Sequence, residues 1–213
     1  GVWSQLITSG DLSKTTCIPL AGSLSQATQQ NTVGVSTGAL NRPPSGKTGT
    51  ACDPSVVQAA AAAGGYSLTS TQANTFACIA FPESRCGAPQ NPPNYNWNGI
   101  KSIPASTAAG AFQVLLAKNH GCYENTACYS AVNMTRGPLD CQNGFYSGAN
   151  NPNLGKPIPE QAALVQKCLT AANNLNCSAS AAACLLKQSG GSFRDWQQDV
   201  NSAVQTGCIT SGG

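Results

Sequence analysis

Charge is what this sequence has least of. Lys, Arg, Asp and Glu supply 9% of the 213 residues, and the net charge is only +3. The eleven Lys and Arg residues stand singly, without the basic stripe or cluster that a polyphosphate backbone demands, which argues against nucleic acid as a partner. Histidine occurs once, at His120, and no two cysteines form a C-x-x-C pair. A zinc ribbon or a Cys/His finger is therefore not expected, and neither is any other cofactor. No Gly-x-Ser-x-Gly elbow or catalytic-cysteine signature accompanies the lone histidine, so a Ser/His/Asp or Cys/His nucleophile is not the natural reading. No apolar run approaches the length of a membrane span, so insertion into a membrane is not expected of this stretch.

Cysteine, by contrast, is abundant. Eleven in this length, without metal-type spacing, point to disulfides and to an extracytoplasmic setting, whether periplasmic, cell-surface or secreted. The odd number predicts one thiol that stays free, is buried, or pairs outside the chain. Cys17 and Cys52 bracket a long polar stretch, so a bridge between them is one possible staple among several connectivities. With no initiator Met and no signal-type segment, the chain reads as a mature or excised fragment of a secreted or membrane-anchored precursor.

Along the chain, residues 1–52 read as an N-terminal extension or linker, poor in large apolar side chains after the first ten and punctuated by Arg42-Pro43-Pro44. Residues 53–208 read as one domain. Asp53-Pro54 is an N-cap followed by proline at the first helical position, and Gly64-Gly65 ends that helix. Ser70 or Thr71 caps the next, which carries Phe76, Ile79 and Ala80 on one side into Pro82-Glu83. Pro82 is expected to bend the last turn and swing Glu83 away from the packed axis. A third helix is predicted from Thr107 through Val114, Leu115 and Leu116 to Asn119-His120-Gly121, and residues 122–158 read as irregular. Pro159 opens a further helix, and Ser178 to Lys187 and Phe193 to Val204 complete a mainly α, disulfide-rich domain with long irregular loops and no strand pattern.

The chemistry concentrates at Glu83. An apolar helix that ends on a carboxylate sets the acid at the rim of a core, where desolvation raises its pKa and keeps it protonated near neutrality, as a general acid requires. Gly110 permits close backbone approach, Phe112 and Gln113 offer an apolar wall and an amide, and Tyr95 and Trp97 sit in a polar loop suited to lining a sugar cleft.

Glu83-Ser84 at a helix end, followed by Ser106-Thr107-Ala108-Ala109-Gly110-Ala111-Phe112-Gln113, resembles the signature of the lytic transglycosylase and goose-type branch of the lysozyme-like superfamily. Asn176 to Ala182 and Gly190 to Trp196 are similar to that family's Asn-plus-Ala helix and closing Gly-to-Trp element, so the resemblance spans roughly residues 54 to 205. The family's Tyr-Asn pair on the later helix has no counterpart beyond Asn173-Asn174.

The resemblance implies a lysozyme-like helical fold and cleavage of the MurNAc-GlcNAc β-1,4 bond of peptidoglycan glycan strands. It implies a one-acid scheme: Glu83 donates its proton and then, as carboxylate, deprotonates the incoming hydroxyl, which belongs to the same muramic sugar or to water. Ser84 and Gln113 would position substrate, and Tyr95, Trp97 or Phe112 would face the sugar rings. If water is the nucleophile, Asp140 or Glu124 is open as a second acid. The setting would be a secretion, conjugation or phage-like virion machinery. The alternative is a non-catalytic lysozyme-like module serving as a structural or wall-binding part of such a machine.

Overall fold

A computed structural model describes residues 49–87 and 107–209, all within one compact unit that spans residues 38–213. The N-terminal stretch 1–48, Ser106 and the loop with Tyr95 and Trp97 lie outside the described residues. The domain is mainly helical. Helix α1 (Pro54–Ala63) starts as its sequence dictates: the Asp53 side chain accepts from Ser55 N at 3.0 Å, and Pro54 fills the first helical position, where no backbone donor is needed.

Helix α2 (Ser70–Ser84) is capped by Thr69, not by Ser70 or Thr71. The reason is reciprocal: Gln72 N donates to Thr69 Oγ1 at 3.2 Å while Thr69 N donates to Gln72 Oε1 at 2.9 Å. Only Thr69 has a Gln or Glu three residues on to close such a box. The helix also runs through Pro82 to Ser84, and Glu83 stays half-buried on the packed side instead of swinging out.

The predicted helix over 107–119 is a hairpin instead. β1 (Ala108–Ala109) pairs antiparallel with β2 (Val114–Leu115) in the register Ala108 with Leu115 and Ala109 with Val114. Gly110 (φ 76°) and Gln113 (φ 51°) both take left-handed backbone, which no α-helix passes through. The apolar run Val114-Leu115-Leu116 then reads buried, half-buried, buried, the period of a strand. The region expected to be irregular holds a short helix α3 (Thr126–Ala131), started by Asn125 Oδ1 accepting from Cys128 N at 3.0 Å. Helices α4 (Ala162–Asn173), α5 (Leu175–Gln188) and α6 (Gln197–Gln205) follow, with a 3-10 turn Arg194–Trp196 leading into the last. Asn173-Asn174 serves the backbone: Asn174 caps α5, its side chain accepting from Asn176 N and Cys177 N.

Small side chains let α1 and α5 pack closely. Buried Ser180 of α5 reaches Ala60 O (3.2 Å) and Ala61 O (3.3 Å) of α1 with its hydroxyl, so its polar atom is satisfied inside the core. A Cβ at Gly64 would run into Ser180 and come within 2.9 Å of Asn125 Oδ1. At the other end of the core Phe76 meets Phe112, Phe193 and Trp196 edge-on, with ring centroids 5.2, 4.9 and 5.3 Å away.

Five disulfides take up ten of the eleven cysteines. Cys122–Cys184 and Cys128–Cys177 fasten α5 to the segment before and within α3, and Cys141–Cys168 fastens α4 to the irregular region. Cys78–Cys208 fastens the C-terminal end of the described domain to α2, and Cys52–Cys86 fastens its N-terminal end to the chain just leaving α2. The sequence-based staple between Cys17 and Cys52 is thus replaced: Ala51 N donates to Cys86 O at 3.4 Å, which sets Cys52 beside Cys86. Cys17 lies outside the described residues.

Thiol counting on the denatured, unreduced protein should find at most one free thiol per chain. Each bridge constrains the unfolded chain by about 2–4 kcal/mol, so full reduction should collapse thermal stability, and several free thiols before reduction would contradict this pairing.

Candidate functional site

The site is built on the turn that closes the hairpin, residues 110–113. Buried backbone groups of this turn and of Val114 just after it are met by side chains from four separate elements. Ala111 N donates to Ser178 Oγ of α5 at 2.9 Å. Ser84 Oγ, at the end of α2, donates to Ala111 O at 2.8 Å and has Ala80 O within 3.1 Å. The indole of Trp196 donates to Phe112 O at 2.8 Å, and the Tyr123 hydroxyl donates to Val114 O at 2.9 Å. Ser84 Oγ also accepts from Gly87 N at 2.7 Å, so one hydroxyl ties the end of α2, the chain leaving it and the turn together.

These bonds settle what two of the expected substrate groups do. Ser84 is 3% exposed and its hydroxyl is committed to backbone, so it holds the scaffold and does not face a ligand. Phe112 is fully buried against Phe76, so its ring is core and presents no face to a sugar. Trp196 is likewise buried, at 4% exposed.

Gln113 is half-buried at the end of the turn. Its Nε2 donates to Gly110 O at 2.8 Å, which fixes the amide, while its Oε1 has no hydrogen-bond partner among the described residues and can accept from a ligand. The Ser84 to Ala111 bond brings this turn against the end of α2 that carries Glu83.

Glu83 continues the inward stripe Phe76, Ile79, Ala80 at helical spacing and is half-buried. Burial pushes its pKa from the ordinary 4.5 to about 8, helped by a hydrogen bond to Asp199 of α6 and by the charge on that side chain. At neutral pH Glu83 therefore carries its proton. Arg85, which might have paired with it, turns its guanidinium over the Phe81 ring at 5.2 Å. The helix ends there because Arg85, Cys86 and Gly87 all take left-handed backbone (φ 55°, 72° and 67°), with Cys86 N reaching back to Ala80 O at 3.0 Å.

Asp199 was not legible as a site residue from sequence. A signal existed: Trp196, Val200 and Ala203 form the packed side of α6, and Asp199 falls on that side between exposed Gln197, Gln198, Asn201 and Ser202. Of the other acids, Glu124 is structural. Its carboxylate accepts from Leu139 N (2.9 Å), Asp140 N (3.0 Å) and Tyr129 Oη (2.8 Å), which pins the turn before the Cys141–Gly144 3-10 helix and leaves it no catalytic freedom. Asp140 takes left-handed backbone in that turn (φ 49°). His120 caps locally, its Nδ1 3.2 Å from Ala117 O. Among the described residues no group of three or more His, Cys, Asp or Glu is placed to hold a metal ion. No helix among them is long and apolar enough to cross a membrane.

No family model, curated protein or solved structure matches this chain.

Two outcomes follow from this geometry. A Cβ at Gly110 would collide with Ala172 O and approach Ser178 Oγ to 2.6 Å, at a φ of 76° that side chains resist, so Gly110→Ala should cost about 2–5 kcal/mol in chemical denaturation. A Gly110→Ala protein as stable as wild type would show that the turn is not clamped. The raised pKa of Glu83 also has a sign for stability. The folded chain keeps a proton that the unfolded chain releases near 4.5, so the stability this group contributes is fully present below that pH and is lost as pH rises through about 8. Thermal midpoints measured across this window should show the decline in wild type and a flatter profile in Glu83→Gln.

Proposed function

We propose that this chain is a peptidoglycan-cleaving glycosidase, a lytic transglycosylase or muramidase on a lysozyme-like helical domain, with Glu83 as its proton donor. One observation carries the reading: a half-buried carboxyl, protonated at neutral pH, closes an apolar helix whose next residue, Ser84, is bonded to the turn bearing Gln113. Cleaving a glycosidic bond requires a proton on the leaving oxygen while an oxocarbenium-like centre develops, and a neutral carboxylic acid is the minimum equipment. Glu83 gives its proton to the bridging oxygen as the bond to the sugar breaks. The resulting carboxylate then takes the proton of the incoming hydroxyl as that oxygen attacks, which restores the acid. The Oε1 of Gln113, without a hydrogen-bond partner among the described residues, suits a sugar hydroxyl as an acceptor. The commitment of Glu124 to backbone supports a scheme without it as second acid.

The setting that fits is extracytoplasmic. Five disulfides persist in an oxidising compartment, and peptidoglycan is reached there. Local opening of a wall for a secretion, conjugation or virion machine is the corresponding role.

Release of soluble muropeptides from purified peptidoglycan tests the reading directly. Glu83→Gln keeps shape and hydrogen bonding but removes the titrating proton, and it should lower release by about 10²- to 10⁴-fold, toward the larger end because both proton transfers use one group. Product masses decide between an anhydro sugar, lighter by one water, and a hydrated one. Equal release by both folded proteins would remove Glu83 from the mechanism. No release by either would make the chain a structural or wall-binding module.

A further inference from the structure

The five disulfides divide by exposure. In Cys122–Cys184, Cys128–Cys177 and Cys141–Cys168 both residues are buried, and these bridges serve α3, α4 and α5. The other two each have one half-buried partner, Cys52 and Cys208, and they close on α2 or on the chain just leaving it. A thiolate has to reach a sulfur to break a disulfide, so exchange in the folded protein is open to these two and closed to the buried three.

Opening the two has unequal consequences. The chain at Cys52 is held without its bridge: Ala51 is fully buried and its N donates to Cys86 O at 3.4 Å, and α1, just after it, takes the Ser180 hydroxyl of α5. Helix α6 has no such support. It is nine residues long, shorter than a helix that stands alone in water, and no side chain caps its start. Its buried residue is Ala203, with Val200 and Val204 half-buried, while Gln197, Gln198, Asn201, Ser202 and Gln205 are exposed. One alanine and parts of two valines contribute little against the entropy of ordering nine residues. What keeps α6 along α2 is the fixing of its ends. At the near end Trp196 is bonded to Phe112 O and packed on Phe76, and at the far end stands Cys78–Cys208.

We propose that Cys78–Cys208 is a redox latch: a dithiol reductant opens it in the folded protein, frees α6 from α2 while the buried bridges stay closed, and so disables the site at the end of α2. The last step rests on the glycosidase reading above, and the latch itself does not. A thiolate of the reductant attacks the Cys208 sulfur, and the Cys78 sulfur leaves as thiolate and takes a proton. The reductant's second thiol then attacks the mixed disulfide, which releases Cys208 as a thiol and the reductant as its own disulfide. Two electrons pass to the protein, and reoxidation closes the latch again.

The test treats the folded wild-type protein with graded dithiothreitol, alkylates the thiols and maps them by mass. Cys78 and Cys208 should be labelled while the six buried cysteines remain bridged. A Cys78–Cys208 bridge that survives until the buried bridges open overturns the latch. In the partly reduced protein, amide hydrogen exchange should be on the order of 10²-fold faster over α6 and unchanged over α5. Unchanged protection of α6 with its bridge open also overturns it. Cys52→Ser combined with Cys86→Ser should keep α6 protected until reductant is added, and loss of that protection beforehand would move the latch to the other bridge. Muropeptide release should fall as the label enters Cys78 and Cys208 and return on reoxidation. Unchanged release with α6 free overturns control of the site, whereas no release by the oxidised wild type overturns the glycosidase reading and leaves labelling and exchange to decide on the latch.

Discussion

Three buried backbone groups in one turn and a fourth on the strand that leaves it each find a side chain. Ala111 N, Ala111 O, Phe112 O and Val114 O take Ser178, Ser84, Trp196 and Tyr123. An unmet buried amide or carbonyl costs roughly 1–3 kcal/mol, so the four together are comparable to the whole net stability of a typical domain. The partners come from α2, α5, the turn before α6 and the 3-10 helix His120–Tyr123. Satisfying the turn therefore fixes where those four elements lie relative to one another. The consequence for chemistry is direct: the residue before one of these clamps is Glu83, and the residue after the clamped pair 111–112 is Gln113.

The scarcity of charge noted in the composition becomes physical at Glu83. In a domain rich in Lys and Arg, a half-buried carboxylate would find a cation and ionise. Here the ion pair resolved among the described residues, Arg194 with Asp195, is exposed, and the neighbour Glu83 finds is another acid. Low charge and a protonated glutamate are thus the same fact seen at two scales. Rigidity without ion pairs comes instead from small-residue contact, as between α1 and α5, and from disulfides, of which Cys128–Cys177 and Cys141–Cys168 are wholly buried.

The helices whose start signals are local were legible in the sequence. Asp53-Pro54, the Ser70 to Ser84 stretch and Pro159 act through neighbours a few residues away, so reading along the chain suffices. The hairpin was not legible, because nothing within residues 107–119 announces that Ser84, Ser178 and Trp196 will claim its backbone. Apolar runs of that length fit a buried strand as well as a helix, and the tertiary partners decided. The same limit governs the site. Glu83 was visible from its place at the end of an apolar helix, whereas Ser84 and Phe112 looked available because sequence spacing does not reveal burial. Asp199 stands 116 positions after Glu83, and only the folding of α6 onto α2 joins them.

Joining them carries a cost that the fold meets by covalent means. Glu83 loses its proton as pH rises past about 8, so a helix attached by contact with that group alone would loosen there. α6 is not attached by it alone: Cys78–Cys208 anchors its far end, and the Trp196 indole is bonded to Phe112 O at its near end. The Glu83 carboxyl can therefore change its charge between two fixed points without releasing the helix that carries Asp199. A group with a pKa near 8 changes its charge close to neutral pH, and its frame has to be indifferent to that proton. Here disulfide, indole and serine bonds supply the frame, and none of them titrates in the range where Glu83 does.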